Sequence, residues 1–439
     1  MRSDLVGEPV RPIEVVEYGT AVFEGVRLTA SDRRLLDGGT FDSRLRVRQL
    51  SGDRLEVTAY QYVGTVRLES CEIRVLPKYL GTDLDVLRML DHAWSGARDP
   101  LPTRQDFLAG APKLRDLVCL MVVEHGERLL RRGVRHDYLT VEDDLRIVRG
   151  RFLPDRQLLR HHGRLDRLAC RFEEHDADID DNRLCAAALA LAARTARVPA
   201  VRARARRAAG LFAQHAPTPP GDVRAVLSGL TYHRHNEHYR PAHLWSGLLL
   251  TGGGLGGLFT SGPLASRAFL VDMNRLFEAF VTRLLEQGAA GTGLRVDKQV
   301  DERRVLRDER TGRSYGAVRP DVLISGLRAG GPYRLPVDMK YKLYGGKKLS
   351  PADLYQAFVY AHTLGRPAEG EPPVCALLYP GDASTRHDRV AVRVIDGPVA
   401  ARVRSVPVDL PAVLAGLAGP DPQGVPARLF GEVLPRARS

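Results

Sequence analysis

The sequence predicts an α+β protein of several domains: a β-rich N-terminal domain, a mainly helical middle region and a C-terminal α/β domain. Three observations predict it. Between residues 55 and 75 apolar residues alternate with polar ones (Leu55 and Val57, Val66 and Leu68, Ile73 and Val75), the period of half-buried strands. From about 111 to 250 apolar residues recur at helical spacing. Beyond that, the pattern reads helix, strand, strand, strand, helix, strand, which fits an α/β core. A chain of 439 residues is expected to hold two or three domains. The expected boundaries are 1–110, 111–250 and 251–420, with a loosely ordered Pro-, Gly- and Arg-rich tail over 421–439.

Taken in order, the N-terminal strands close on Leu76-Pro77-Lys78-Tyr79, and a helix is expected from Leu84 to Trp94. In the middle region Leu117 to Leu130 is one helix. Asn182 to Phe212 is a long Ala/Arg-rich helical stretch interrupted near Pro199. Gln214 to Asp222 is a loop. Thr251 to Gly262 is a glycine-rich linker. Phe269 to Glu286 carries Met273, Leu276, Phe277, Phe280, Val281, Leu284 and Leu285 on one helical stripe, with Gly288 as its stop. Leu294 to Val296 opens a short strand. Val322 to Ile324 and Leu335 to Val337 form two more strands, joined by a Gly/Pro turn over 326–332. Ser350-Pro351-Ala352-Asp353 starts a helix: Ser350 caps it, Pro351 takes its first position and Asp353 complements the dipole. Cys375 to Tyr379 is a buried strand.

The chemistry lies where these strands end. Arg319-Pro320-Asp321 opens one strand, and Asp338-Met339-Lys340 closes the next. Alternate strand residues share a face, so Asp338 and Lys340 point the same way. Two carboxylates suit Mg²⁺, a hard cation that prefers oxygen ligands, and a lysine beside the metal can orient or activate water. The competing reading is two surface carboxylates and a solvated lysine. Against it, acids and a lysine at the ends of core strands cost stability unless paired or used. Glu278 lies four residues past Asn274, at the margin of the apolar stripe. It is either a third carboxylate of the site or an ordinary surface glutamate.

A formal charge of +12 is compatible with a polyanionic partner. The excess of arginine over lysine is partly a compositional bias of the chain. Cys71, Cys119, Cys170, Cys185 and Cys375 form no CxxC pair and read as core thiols of a reducing, cytoplasmic compartment. No apolar run reaches membrane-spanning length. Neither Thr251–Gly257 nor Gly345-Gly346-Lys347-Lys348 meets the phosphate-loop pattern, so any nucleotide motor would be a separate protein. His233, His235 and His238 lack a metal-site spacing. Arg202 to Arg207 reads as a solvated helix face.

Several segments together resemble one family, McrC, the nuclease subunit of McrBC modification-dependent restriction systems. They are Gly64 to Lys78, Leu145 to Arg151, Phe172 to Leu184, Phe269 to Glu278, Arg319-Pro320-Asp321, Asp338 to Lys342 and Asp353-Leu354-Tyr355-Gln356. The resemblance implies a PD-(D/E)xK nuclease domain in which Asp321 and Asp338 bind Mg²⁺ and Lys340 is the catalytic lysine. It makes Glu278 and Gln356 supporting residues, with Glu278 as a third metal ligand. It also implies a partner, an McrB-like AAA+ GTPase or ATPase, whose hydrolysis the N-terminal part stimulates. The expected function is cleavage of double-stranded DNA in defence against foreign or modified DNA. The rivals are a non-cleaving adaptor of an AAA+ ring and a stand-alone RecB-like exonuclease.

Overall fold

The computed structural model describes residues 12–37, 41, 43–95, 113–162, 164–252, 268–328, 331–342, 348–367, 371–382, 385 and 389–435. The chain divides into two compact units, residues 1–101 with 270–439, and residues 102–269. The first is therefore built from both ends of the chain.

In the first unit, β1 (Pro12–Val16) pairs in parallel with β6 (Glu72–Leu76), which pairs antiparallel with β5 (Tyr62–Arg67). The chain returns from the second unit through β10 (Ala268–Asp272), which extends this sheet beyond β5. A second sheet has the order β2 (Thr20–Glu24), β4 (Arg54–Ala59), β3 (Leu45–Leu50). The alternation read in the sequence is realised here: Leu55, Val57, Val66, Leu68, Ile73 and Val75 are all buried. The short helix α1 (Ala30–Asp37) is fixed by the buried Asp32, whose carboxylate accepts from the amides of Thr29, Glu69 and Ser70. Helix α2 (Asp83–Ser95) packs on α9 (Met273–Ala289).

The C-terminal part of this unit is a six-stranded mixed sheet. Its order is β11 (Leu294–Lys298), β14 (Val322–Arg328), β15 (Gly331–Met339), β16 (Val374–Pro380), β18 (Val399–Val408), β17 (Arg389–Arg393). The pairs β11–β14 and β14–β15 are antiparallel, whereas β15–β16 and β16–β18 are parallel. Helix α10 (Pro351–Leu364) makes the crossover between β15 and β16. Ala357, Tyr360, Ala361 and Leu364 pack on Leu323, Cys375, Leu377 and Val403. Ser350 caps α10 by accepting from the Asp353 amide, as its sequence predicts. Between β11 and β14 lies the hairpin of β12 (Glu302–Arg307) and β13 (Ser314–Val318). After β18 come α11 (Leu410–Leu417) and α12 (Gly424–Val433).

The second unit is mainly helical, but it also holds a three-stranded sheet the sequence pattern did not reveal. Its order is β7 (Asp137–Leu145), β9 (Leu168–Asp176), β8 (Arg151–Phe152). Helix α4 (Pro154–His161) lies between β8 and β9. The helices α3 (Leu114–Arg132), α5 (Asp180–Thr195), α6 (Pro199–His215) and α8 (Arg240–Leu250) pack together, with the short α7 (Val223–Gly229) beside α8. The break before Pro199 falls as expected, because proline can open a helix but not continue one. Within the arginine run, Arg204 turns inward to Glu124 at 2.6 Å and Glu127 at 2.7 Å. The run is thus not wholly a solvated face.

Four further expectations are corrected. Phe269, Leu270 and Val271 belong to β10 rather than to the helix, which starts after Asp272. The Asp272 carboxylate accepts from the amides of Asn274 and Arg275 and so sets the first turn. The helix does not stop at Gly288. It runs to Ala289, and the glycine is where α12 packs: a Cβ there would lie 2.3 Å from the Pro426 carbonyl oxygen. The tail, expected to be loose, forms α12 up to residue 433, with Leu429, Phe430 and Val433 buried. The expected turn over 326–332 is largely strand. Gly326 sits inside β14 because a Cβ would meet the Gly293 carbonyl oxygen at 2.7 Å. The Gly-rich stretch from 253 and Gly345 to Lys347 lie outside the described residues.

Candidate active site

The site is set by strand register. Val322 of β14 faces Val337 of β15. One step further along the two antiparallel strands, Asp321 stands opposite Asp338. Directly opposed residues have Cβ atoms roughly 5 Å apart, so two carboxylates are forced together. The backbone ties them: the Met339 amide donates to Asp321 Oδ2 at 2.6 Å. Asp338 pairs with Leu377 of β16, so it lies on the face that α10 covers. It is 1% exposed. The Lys340 amide donates to the Leu378 carbonyl at 2.8 Å, which extends the β15–β16 ladder past the site. Lys340 Nζ then reaches Asp338 Oδ2 at 2.9 Å and Oδ1 at 3.2 Å.

The electrostatics follow from burial and crowding. Burial, then the neighbouring Asp338 charge, push the Asp321 carboxyl up to about 7. Glu278 adds a smaller push in the same direction, which places it near Asp321. Burial also raises Asp338, against the opposing pull of Lys340. Burial works to lower Lys340, but the Asp338 carboxylate outweighs it and holds the amine above its ordinary value. Lys340 is therefore a cation at neutral pH.

The other expected residues surround this core. Glu278, on α9, is half-buried and accepts from Gln299 Nε2 at 3.4 Å. Gln356, on α10, donates to the Tyr360 hydroxyl at 2.8 Å, and Tyr360 donates to the Arg319 carbonyl oxygen at 2.8 Å. Gln356 thus reaches the Arg319-Pro320-Asp321 segment through a tyrosine. Tyr360 was not singled out in the sequence, although it shares a helix face with Gln356. Asp353 does more than complement the helix dipole. It is buried, accepts from the Ser350 hydroxyl at 2.5 Å and pairs with Lys342 at 3.3 Å.

Among the described residues no group of three or more His, Cys, Asp or Glu side chains is gathered to hold a metal ion. That covers the histidines at 233, 235 and 238, and it leaves the two aspartates without Glu278 as a gathered third ligand. The two aspartates nevertheless suit a divalent cation. Asp338 Oδ2 is buried and, beyond the Lys340 ammonium at 2.9 Å, has no hydrogen-bond partner. Mg²⁺ is commonly held by one or two carboxylates and keeps several waters. All five cysteines are buried and free, and Cys375, behind Asp338, is driven far up by burial. No helix among the described residues is long and apolar enough to cross a membrane.

The fold and site define a mixed α/β, multidomain protein with a paired-carboxylate and lysine centre at its strand ends. The family model for the McrBC 5-methylcytosine restriction system component matches residues 57–380, and the chain belongs to that family. Its fold is similar to that of a chain in a refined half-complex from a tetradecameric assembly of Thermococcus gammatolerans McrB AAA+ hexamers with bound McrC. That match covers 97% of this chain and 100% of the other, with a TM-score of 0.58 and 17% identity. A chain of the cryo-EM structure of the Thermococcus gammatolerans McrBC complex is 20% identical, covering 64% of this chain and 88% of that one with a TM-score of 0.44. No curated protein matches.

Proposed function

We propose that the chain is the Mg²⁺-dependent DNA endonuclease subunit of an McrBC-like restriction complex, with a PD-(D/E)xK site in its C-terminal sheet. The observation that carries this reading is the opposition of Asp321 and Asp338 with Lys340 Nζ 2.9 Å from the latter. Asp321 and Asp338 would hold Mg²⁺, which when bound supplies Lewis acidity toward a phosphodiester and an activated water. Lys340, held as a cation, steadies Asp338 and places positive charge where the phosphate gains negative charge. It orients the attacking water rather than taking its proton. Gln356 and Tyr360 fix the Arg319 backbone and hence the approach of Asp321. Glu278 adds negative charge at the margin.

The partner in this reading is an McrB-like AAA+ GTPase or ATPase. Support comes from the family and from the fold shared with a chain of an assembly described as McrB hexamers with bound McrC. The substrate is double-stranded DNA, consistent with the +12 charge.

The test is plasmid cleavage with Mg²⁺ and NTP, with and without an McrB-type NTPase. Asp338→Ala and Lys340→Ala should each lower cleavage by a factor of at least about 10³ while the protein stays folded and assembled. Metal-dependent cleavage at the wild-type rate by either variant overturns the assignment. If the wild type does not cleave but still stimulates NTP hydrolysis, the adaptor reading replaces it.

A further inference from the structure

The turn Val16-Glu17-Tyr18-Gly19, between β1 and β2, lies in the first unit with the candidate site, and its two central side chains reach that site's supports. Glu17 is 1% exposed. Its Oε1 accepts two hydrogen bonds, from the Lys78 amide at 2.7 Å and from the Tyr341 hydroxyl at 2.8 Å. Its Oε2 is buried without a partner. Tyr341 directly follows Lys340 and is itself buried, packed edge-on to Tyr79 and against Phe277 of α9. Tyr18 donates to Asn274 Oδ1 at 3.2 Å, and its hydroxyl lies 3.5 Å from the Tyr341 carbonyl oxygen. Asn274 stands one helical turn before Glu278 on α9.

The arrangement is costly. A buried carboxylate with an unsatisfied oxygen is destabilising. Tyr18 also adopts a left-handed φ of 59°, a strained conformation for a bulky residue. Gly19 must be glycine for the turn to close, because a Cβ would lie 2.8 Å from the Val16 carbonyl oxygen. A packed apolar residue at 17 would avoid the cost. What Glu17 supplies that such a residue cannot is a directional hold on the tyrosine next to Lys340.

We infer that this turn is a brace for the nuclease site, with Glu17 acting as a positioning residue for Lys340 through Tyr341 and Tyr18 holding the start of α9 through Asn274. The inference rests on the nuclease reading for its meaning in catalysis, but the brace itself can be tested without cleavage. Glu17 touches neither metal ligands nor substrate. It sets the place of the strand end that carries Lys340, and a displacement of that end by a fraction of an ångström is enough to slow the chemistry.

The experiment uses the full chain with its NTPase partner and compares wild type, Glu17→Ala, Glu17→Gln, Tyr341→Phe and the Glu17→Ala/Tyr341→Phe double variant. The first readout, independent of activity, is amide hydrogen exchange. Exchange at residues 339–342 should quicken by about tenfold in Glu17→Ala and Tyr341→Phe, with the β16 and β18 amides unchanged. The second is steady-state cleavage. Each single variant should lose about tenfold in kcat with KM for DNA within about twofold, and the double variant should be no worse than either single. Glu17→Gln, whose carbonyl can accept both hydrogen bonds, should restore most of kcat. Unchanged exchange at 339–342 overturns the brace, as does a uniform rise in exchange with kcat per folded molecule intact. Tyr341→Phe, which keeps the packed ring, decides the matter if Glu17→Ala does not fold. If no wild-type cleavage is found while the local exchange effect stands, the nuclease reading falls and the brace survives.

Discussion

The carboxyl of Asp321, held up to about 7 by burial and by Asp338, must release its proton before it can take a cation. Mg²⁺ affinity should therefore climb about tenfold per pH unit below 7 and level off above it, with close to one proton released per ion at pH 6. Calorimetry in two buffers of different ionisation enthalpy checks this, and an affinity indifferent to pH between 6 and 8 contradicts it. The same shift makes a stability claim for the metal-free protein. The folded state keeps a proton that the unfolded state releases above the ordinary value of 3.8. The stabilisation is thus whole below that value and is lost as pH rises toward 7, on the order of a few kcal/mol. Asp321→Asn should flatten that slope. Asp321, Asp338 and Lys340 were legible in the sequence because the two strands that oppose them are adjacent along the chain. Tyr360 and Glu17 were not. Tyr360 reaches the site through hydrogen bonds the helical pattern does not encode, and a single glutamate in a turn gives no sign of a partner 324 residues away.

Among the elements, the contact of α9 with α12 makes the sharpest prediction. The Gly288→Ala change would add intrinsic helix propensity, yet its methyl would meet the Pro426 carbonyl oxygen at 2.3 Å and the Phe430 Cβ at 2.6 Å. The clash should dominate the gain of about 1 kcal/mol, for a net loss of about 1–3 kcal/mol in denaturant unfolding. A variant more stable than wild type would show that α12 can slide away. The helices were largely readable: α2, α3, the α5–α6 pair and the capped start of α10 all follow the apolar spacing and its punctuation. The boundary at Asp272 was not, because Phe269 to Val271 continue an apolar run that suits a strand or a helix equally. Only their place beside β5 decides. The small sheet of β7, β8 and β9 shows no clean alternation in the sequence: β9 buries the adjacent Ala169 and Cys170 as well as Phe172, and the charged β7 buries none of its residues fully.

For the molecule as a whole, +12 of formal charge predicts that DNA binding, measured on the Asp338→Ala variant, weakens steeply with salt. A drop of about 10²–10⁴ between 50 and 200 mM salt is expected if several phosphates are contacted, and a flat profile would remove charge as the driving force. At this scale the sequence was least informative. It shows a β-rich beginning and an α/β end, but not that residues 1–101 and 270–439 form one compact unit. That fact rests on contacts such as Tyr18 with Asn274, 256 residues apart.

The hydrogen bond from Tyr341 to Glu17 spans 324 residues. At ribosomal speeds of about 5–20 residues per second, the first half of the brace is made roughly 15–65 s before the second. During that interval β5 waits with one edge uncovered, since β10 also arrives late. The intervening unit, residues 102–269, can complete its own core first. The lysine-bearing strand end therefore gains its support only after more than three quarters of the chain has been synthesised.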